Sequence, residues 1–328
     1  MYSWTNFVLD TGSENVIKKS SISSQKLANV SNKIKPSGKT HKGFPFWNRC
    51  ILFFLDKYEK NTIIFFINKM LEARFSQSGQ LKKIIESVKD IVTDANLDCS
   101  SMGLSLQAMD SSHVSLISLF LESEGFDYFK CDKPVTLGVN LLSMYKILKC
   151  SSNDDSVTIS WKEDPEILYF VFESNLSDRI SEFQLKLIKK SSEQLGIPDT
   201  HYSATVKLAS SEYRRICTDL SALGDTVTIE VSKEGMKFQV EGDIGRGNIT
   251  LLQALKEENN GERVYVEITE AVRMIFSMRY LNSFSKATPL CDKILVKMAK
   301  EVPLQMEFRI DAIGYVRFYL APKVDNDI

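Results

Sequence analysis

The clearest pattern in the chain is an apolar stripe at helical spacing in residues 81–92. Six residues form the stripe, which would turn towards a core: Leu81, Ile84, Ile85, Val88, Ile91 and Val92. Lys82, Lys83 and Lys89 fall on another side of the same helix. The pattern therefore predicts an amphipathic helix with an apolar inner face and a basic outer face.

This helix has a second copy in the chain. Residues 213–220 repeat its pattern 132 positions later, with Arg214 and Arg215 in place of the first two lysines. At the same offset a strand, a turn and a second strand recur, with Gly103 at the first turn and Gly235 at the second. The chain is therefore predicted to contain one supersecondary unit twice.

Most of the remaining chain alternates apolar and polar residues, as half-buried strands do. Strands are predicted at residues 96–101, 103–109, 114–122, 157–161, 167–172, 183–188, 203–208, 226–232, 236–241, 248–253, 264–269, 294–298, 304–310 and 315–320. Further helices are predicted at residues 141–150, with Asn140 as the cap, at 210–223 and around 278–284. Short helices among many alternating strands indicate an α+β chain with helices on one face of antiparallel sheets.

Changes in pattern divide the chain into four parts. Clear periodicity begins at Met70, and a polar run closed by Gly196 and Pro198 interrupts it. We predict an extension over residues 1–69, a first repeat domain over residues 70–186, a connector over residues 187–202 and a second repeat domain over residues 203–328.

The extension differs in charge from the rest of the chain. Residues 1–69 carry eleven Lys and Arg against four Asp and Glu, a formal charge of +7, whereas residues 70–328 carry 30 against 38, a formal charge of −8. Its two apolar bursts are shorter than the about 20 residues that cross a bilayer, so no membrane association is predicted. We interpret the extension as a segment of unknown role that is either disordered or an artefact of start-site assignment, with Met70 as the alternative start.

The sequence patterns of common catalytic and cofactor sites are missing. The three histidines are scattered, no phosphate-binding G-x-x-x-x-G-K-[ST] loop occurs, and Gly245-Arg-Gly247 lacks the context of a dinucleotide site. No cofactor and no metal site are expected. These features favour a binding role over an enzyme.

Each predicted helix carries basic residues on its polar side: Lys82, Lys83 and Lys89; Lys146 and Lys149; Arg214 and Arg215; Arg279 and Lys286. On one helix alone they would suit an ordinary solvated face. Four such helices in an acidic body point instead to a common phosphate-facing surface. Because no aromatic residues are interleaved and no recognition helix is evident, we expect contacts to the duplex backbone without base readout.

Seven short strings carry a family resemblance: Met109–Leu116, Ser123–Phe126, Lys146–Cys150, Glu193–Pro198, Arg279–Asn282, Lys286–Leu290 and Tyr319–Lys323. With these strings in order, the chain from Met70 to about Asp327 resembles eukaryotic proliferating cell nuclear antigens, the sliding DNA clamps. The resemblance implies the DNA clamp (processivity) fold: a homotrimeric ring with two similar domains in each subunit, helices around a central hole and sheets outside. The extension has no counterpart in the resemblance.

The resemblance also implies a function. The implied function is that of a non-enzymatic, nuclear clamp that encircles duplex DNA as the processivity factor of a replicative DNA polymerase and as a docking platform for replication and repair proteins. Implied partners are the clamp loader, flap endonuclease, DNA ligase and other proteins with short peptide motifs. The alternative is a clamp-derived scaffold that binds partner peptides but does not load on DNA.

Site residues follow from the resemblance by position. The implied groove for partner peptides comprises Met109, His113, Val114, Leu116, Leu195, Ile197, Pro303, Tyr319, Ala321 and Pro322. Lys233 matches the family's acceptor for ubiquitin and SUMO. The implied subunit edges are Asp178–Lys186 and Ile244–Leu252. The chain departs from its relatives at Thr218 and Ala222, where they often have basic residues, so the charge of the hole is expected to be redistributed.

Overall fold

The computed structural model describes residues 69–162, 166–174, 179–189, 196, 200–253 and 264–323. Nearly all of the predicted extension lies outside these residues. Within them, the α-helices are α1 (Ser78–Val88), α2 (Leu141–Leu148), α3 (Ser210–Ser221) and α4 (Met278–Phe284), and 3₁₀ segments lie at Ser123–Gly125 and Ser285–Leu290. All four predicted helices are thus present.

The strands fall into two series. The first series is β1 (Leu71–Phe75), β2 (Asp94–Ser100), β3 (Gly103–Met109), β4 (Ser115–Glu122), β5 (Tyr128–Cys131), β6 (Val135–Asn140), β7 (Ser156–Trp161), β8 (Ile167–Glu173) and β9 (Ile180–Lys186). The second series is β10 (Ala204–Ala209), β11 (Thr226–Ser232), β12 (Gly235–Gly242), β13 (Gly245–Leu252), β14 (Tyr265–Ile268), β15 (Val272–Ser277), β16 (Lys293–Met298), β17 (Leu304–Ile310) and β18 (Gly314–Leu320).

Helix α1 begins three residues before its apolar stripe and ends before the stripe does. The backbone N–H groups of Ser78 and Gly79 donate to carbonyl oxygens in the loop after α2, at 2.8 and 3.0 Å, so this loop satisfies the first turn. Lys89 is the C-cap residue. The helix predicted at residues 81–92 is therefore shifted towards the N-terminus by contacts that periodicity does not encode.

The predicted cap of α2 is confirmed. The side-chain oxygen of Asn140 accepts a hydrogen bond from the backbone N–H of Ser143 at 2.9 Å. This bond satisfies one of the donors that a helix start leaves open.

The two series have the same order of elements. In each, one strand and one helix precede five strands, a second helix and three further strands. The predicted glycine turns are equivalent: Gly103 and Gly235 have φ of 137° and 146°, and a Cβ on either would lie 2.0 Å from a backbone oxygen of the neighbouring strand. Only glycine fits such a position, which explains why the glycine recurs with the repeat.

Three antiparallel sheets contain the strands. Their orders are β5-β1-β7-β8-β9, β14-β10-β16-β17-β18-β4-β3-β2-β6 and β13-β12-β11-β15. The nine-stranded sheet joins the two series, because β18 pairs with β4 over Gly314–Leu320. The predicted α+β class with antiparallel sheets is confirmed.

Four strands were not predicted from the sequence: β1, β5, β6 and β15. Strand β5 has only four residues, none of them fully buried, so its pattern is too short and too weak to predict a strand. Strand β6 contains Gly138, whose carbonyl accepts the N–H of Ile188 at 2.9 Å. Strands β5 and β6 therefore depend on their neighbours, whereas β1 and β15 do alternate buried and more exposed residues and were overlooked by the sequence prediction.

One core lies between the sheets and the helices. Phe284 of α4 stacks on Phe318 of β18 with ring centroids 4.5 Å apart, and Phe318 meets Phe308 of β17 at 5.6 Å. The buried hydroxyl of Tyr213 in α3 donates to the carbonyl oxygen of Leu281 in α4 at 2.8 Å. The helices therefore cover one face of the sheet, and their polar sides face away from it.

Candidate functional site

The helices bring the predicted basic residues into one layer. Helix α1 packs beside α2, α3 packs beside α4, and the 3₁₀ segment Ser285–Leu290 contacts both α1 and α3. Most of the nine predicted residues are exposed on this layer: Lys83, Lys146, Lys149, Arg214, Arg215, Arg279 and Lys286. The pattern on separate helices is thus one continuous surface feature.

Two of these lysines, Lys89 and Lys286, meet at Asp90 just after α1, and a third, Lys149, lies near Tyr145. Lys89 Nζ lies 2.9 Å from both carboxylate oxygens of Asp90, and Lys286 Nζ lies 2.7 Å from Oδ2. Lys89 Nζ and Lys149 Nζ lie 4.8 and 5.8 Å from the ring centroid of Tyr145. Burial disfavours the Asp90 carboxylate, but the Lys286 and Lys89 ammonium groups outweigh it and lower the pKa of Asp90.

Tyr145 was missed by the sequence prediction, which expected no aromatic residue among the lysines. The expectation is wrong at this position, since the ammonium groups of Lys89 and Lys149 both lie over the ring of Tyr145. Its hydroxyl donates to Glu86 Oε1 at 2.7 Å. Burial, together with this bond, raises the pKa of Tyr145 to about 12, so the hydroxyl stays neutral at physiological pH. Glu86, Asp90 and Tyr145 show that the layer is mixed in charge.

Lys82 differs from the other predicted lysines. Its Nζ donates to the carbonyl oxygen of Ser151 and, at 3.2 Å, to the side-chain oxygen of Asn153. Burial lowers the pKa of Lys82, with Asp155 acting in the opposite direction. Lys82 therefore ties α1 to the loop after α2, and its charge is partly engaged in the fold.

The predicted groove residues come together on the other face of the nine-stranded sheet. Met109, Leu116 and Tyr319 lie side by side on β3, β4 and β18, because Leu116 is the register partner of both of the others. Leu116 and Tyr319 are buried and form a small cluster with Met109, separate from the main core. Val114 is joined to Ala321 by a backbone hydrogen bond of 2.9 Å.

The remaining groove residues are placed differently. Pro303 and Pro322 are half-buried, and His113 is exposed with a left-handed φ of 54°. Leu195 and Ile197 lie outside the described residues. Tyr202, which the prediction omitted, is half-buried near Tyr319. Burial, together with Tyr319, raises the pKa of the Tyr202 hydroxyl. Its signal in the sequence is its place at the end of the predicted connector.

Asp110 organises the loop between β3 and β4. One carboxylate oxygen accepts the backbone N–H groups of Val114 and Ser115 at 2.9 and 2.7 Å, and the other accepts Ser112 N–H at 3.0 Å and the Tyr280 hydroxyl at 2.7 Å. Burial alone would raise the pKa of Asp110, but these four donors outweigh it and lower the pKa. The carboxylate thus links the groove to helix α4.

Lys233 is exposed at the turn between β11 and β12. The turn is held by Glu234 N–H, which donates to the Ser232 hydroxyl at 3.2 Å. Its amine is therefore accessible on a fixed turn.

The described residues offer neither a metal cluster nor a membrane-spanning helix. In the ranges that the structure describes, no three His, Cys, Asp or Glu side chains are grouped so that they could hold a metal ion. No helix among the described residues is long and apolar enough to cross a membrane.

Comparison with known proteins explains the fold and the repeat. Residues 70–194 match the N-terminal domain of proliferating cell nuclear antigen, and residues 196–323 match its C-terminal domain. The proliferating cell nuclear antigen of Chaetomium thermophilum is 46% identical over 258 residues, which cover 79% of this chain and 100% of that protein. The predicted resemblance and the two-domain DNA clamp fold are confirmed. The chain belongs to the proliferating cell nuclear antigen family of sliding clamps.

Proposed function

We propose that three copies of the chain close into a ring around duplex DNA and act there, without catalysis, as the processivity factor of a replicative DNA polymerase. The proposed ring is inferred from one strand pairing within the chain. Within the chain, β4 of the first series pairs with β18, the last strand of the second series. The equivalent strands are β13 and β9, so the same joint formed between copies would pair β13 of one with β9 of the next.

Both strands are suited to this joint. They are sheet edges of eight and seven residues. Strand β9 exposes Ile180 and β13 exposes Leu252, with 63% and 72% of their surface accessible, and Ile244, immediately before β13, is 79% accessible. The other edges are shorter, and β6 and β15 are partly covered by backbone bonds from Ile188 and Lys323. Open edges of this kind pair with another chain, and closing a ring removes them.

The ring can be tested by breaking each edge separately. Native mass measurement of the wild-type chain should give three times 37.2 kDa. Ile180→Asp should prevent assembly through β9 and Ile244→Asp through β13, whereas Met102→Asp, at a turn that is 70% exposed, should leave the trimer intact. A mixture of the two edge variants retains one good joint and should form dimers. Trimers from either edge variant would contradict the ring.

The helix layer supports the DNA part of the proposal. A ring built from this joint would turn the basic residues of α1 to α4 towards its centre, where phosphates could contact them without base readout. Replacing Lys89, Lys149 and Lys286 by Ala should weaken DNA binding and flatten its salt dependence, because fewer counterions are released. The matched control replaces Lys130, Lys133 and Lys233, which are exposed elsewhere. Equal salt slopes in both triple variants would contradict the assignment.

The peptide groove would hold the partners. We place the clamp loader, DNA polymerase, flap endonuclease, DNA ligase and other peptide-motif proteins of replication and repair at the Met109, Leu116 and Tyr319 cluster, in the nucleus. Support comes from a separate apolar cluster on a sheet face. Lys233, exposed on its turn, is proposed as the acceptor of ubiquitin and SUMO. Mass spectrometry of the Lys233→Arg variant after modification tests this last assignment.

The proposed division of the chain follows the same reasoning. We assign residues 70–186 and 203–328 to the two clamp domains and residues 187–202 to the connector, and propose that residues 1–69 are dispensable for folding and clamp function. The chain Met70–Ile328 should then form trimers and stimulate a polymerase as the full chain does. Failure of either property would make the extension an integral element.

A further inference from the structure

The sheet face that carries the groove cluster continues beyond it in two further rows of side chains. Register partners in antiparallel strands share a face. The groove row runs from Met109 and Leu116 through Tyr319 to Gln305 and Lys297. The rows therefore form one surface across β3, β4, β18, β17 and β16.

The next row contains an ordered arginine. It runs from Ser118 through Arg317 and Glu307 to Leu295 and Lys207. Arg317 Nε donates to Glu307 Oε2 at 2.6 Å, and its guanidinium lies 3.9 Å from the ring centroid of Tyr315. These two contacts fix the Arg317 side chain against the sheet, while 32% of it stays accessible.

The third row adds aromatic and basic groups. Phe120, Tyr315 and Arg309 are register partners in it, and the rings of Phe120 and Tyr315 lie 6.0 Å apart. Lys293 begins β16 on the same face, two residues before Leu295. We call Lys207, Lys293, Lys297, Arg309 and Arg317 the basic sheet face.

Positive charge dominates this surface. The basic sheet face has five cationic groups, and Glu307, the acid within its rows, is paired with Arg317 and only 12% exposed. Other acids lie at its margins: Glu267 on the edge strand β14, Asp98 on β2, and Glu122, Asp292 and Asp311 at the turn end of the strands. An acidic ligand would therefore be attracted to the rows themselves and repelled from their borders.

We propose that the basic sheet face binds an acidic segment of a partner protein that continues directly from the anchor residues held in the groove. The inference rests on the proposed groove and adds the chemistry of the flanking sequence. The third row lies four residues from the groove row along each strand, which is about 13 Å at the rise of a strand. An extended segment would place acidic residues over the face about four to six positions from its anchors.

An acidic peptide fits this face better than DNA does. The face lies on the opposite side of the sheet from α4, because alternate residues of β18 such as Phe318 point to the helices. The basic helix layer is therefore on the other side, and a duplex held there cannot reach this surface. A flat sheet continuous with the groove suits an extended peptide.

The test uses the full chain and three labelled peptides that share aromatic and aliphatic anchors but end in acidic, neutral or basic tails. The acidic tail should bind about tenfold more tightly than the neutral tail, since several exposed ion pairs add small increments. Lys293→Glu/Arg309→Glu should remove or reverse this preference. The control Lys233→Glu/Arg273→Glu has the same charge change in the four-stranded sheet and should preserve the preference.

Three other results would each contradict the inference, the groove or the choice of ligand. Equal affinity for the three tails, with binding still dependent on the anchors, would overturn the inference and leave the groove intact. Binding that survives replacement of the anchors by Ala would overturn the groove itself. A short DNA duplex that loses affinity in Lys293→Glu/Arg309→Glu, while the tail preference persists, would assign the face to nucleic acid instead.

Discussion

The hydrogen bond between Asp110 and Tyr280 should couple the groove loop to the helix layer. The two residues are 170 positions apart, and the bond is 2.7 Å long. Asp110 is buried, with 6% of its surface accessible, and also accepts three backbone N–H groups of its own loop. A double-mutant cycle of Asp110→Asn, Tyr280→Phe and the double variant would measure the coupling.

The expected magnitudes follow from the number and kind of bonds removed. Tyr280→Phe deletes one hydrogen bond to a carboxylate at a partly exposed site and should cost about 1–2 kcal/mol of unfolding free energy. Asp110→Asn removes the charge and turns an amide N–H₂ towards backbone donors, which should cost about 2–4 kcal/mol. The double variant should cost less than the sum by about 1–2 kcal/mol, because the same bond is lost only once.

Urea unfolding at one fixed protein concentration would supply these values, since the stability of an oligomer depends on concentration. Tyr265→Phe is the matched control, because Tyr265 is 38% exposed on the edge strand β14, and it should change stability by less than about 0.5 kcal/mol. Partner-peptide affinity should fall in Asp110→Asn, since Val114 is positioned by the lost carboxylate. Strict additivity in the cycle would refute the coupling.

Because the pKa of Asp110 is lowered in the folded state, its carboxylate contributes fully to the free energy of unfolding above the unfolded pKa of about 3.9, and this contribution is lost as pH falls through the folded pKa. The difference in unfolding free energy between wild type and Asp110→Asn should therefore shrink in acid. A difference that stays constant with pH would contradict this. Asp90→Asn should release Lys89 and Lys286 and strengthen DNA binding at low salt; weaker binding would count against a phosphate-facing layer. Tyr319→Ala should cost about 1–3 kcal/mol of peptide affinity with the trimer intact, and wild-type affinity in a peptide titration would place the groove elsewhere.

The local hydrophobic pattern was sufficient to predict the helices and strands that have one buried side. Helix α4 and strands β3, β11 and β17 have the predicted bounds, and the recurring glycine turns predicted the repeat. Periodicity reports which side of an element is buried, and this depends on near neighbours in the chain. The resemblance to the clamp family likewise depended on short contiguous strings of residues.

Tertiary structure decided which distant groups meet. Strand β5 forms because β1 lies beside it, and Lys82 bonds to the loop after α2 instead of extending from its predicted face. Asp90 gathers lysines from α1 and the 3₁₀ segment, while Asp110 reaches Tyr280 in the second repeat. Such contacts depend on how whole sheets and helices pack, and a charge in the sequence does not specify its partner. The sequence therefore determined the faces of the elements, and only the folded chain determined which charges on those faces are paired.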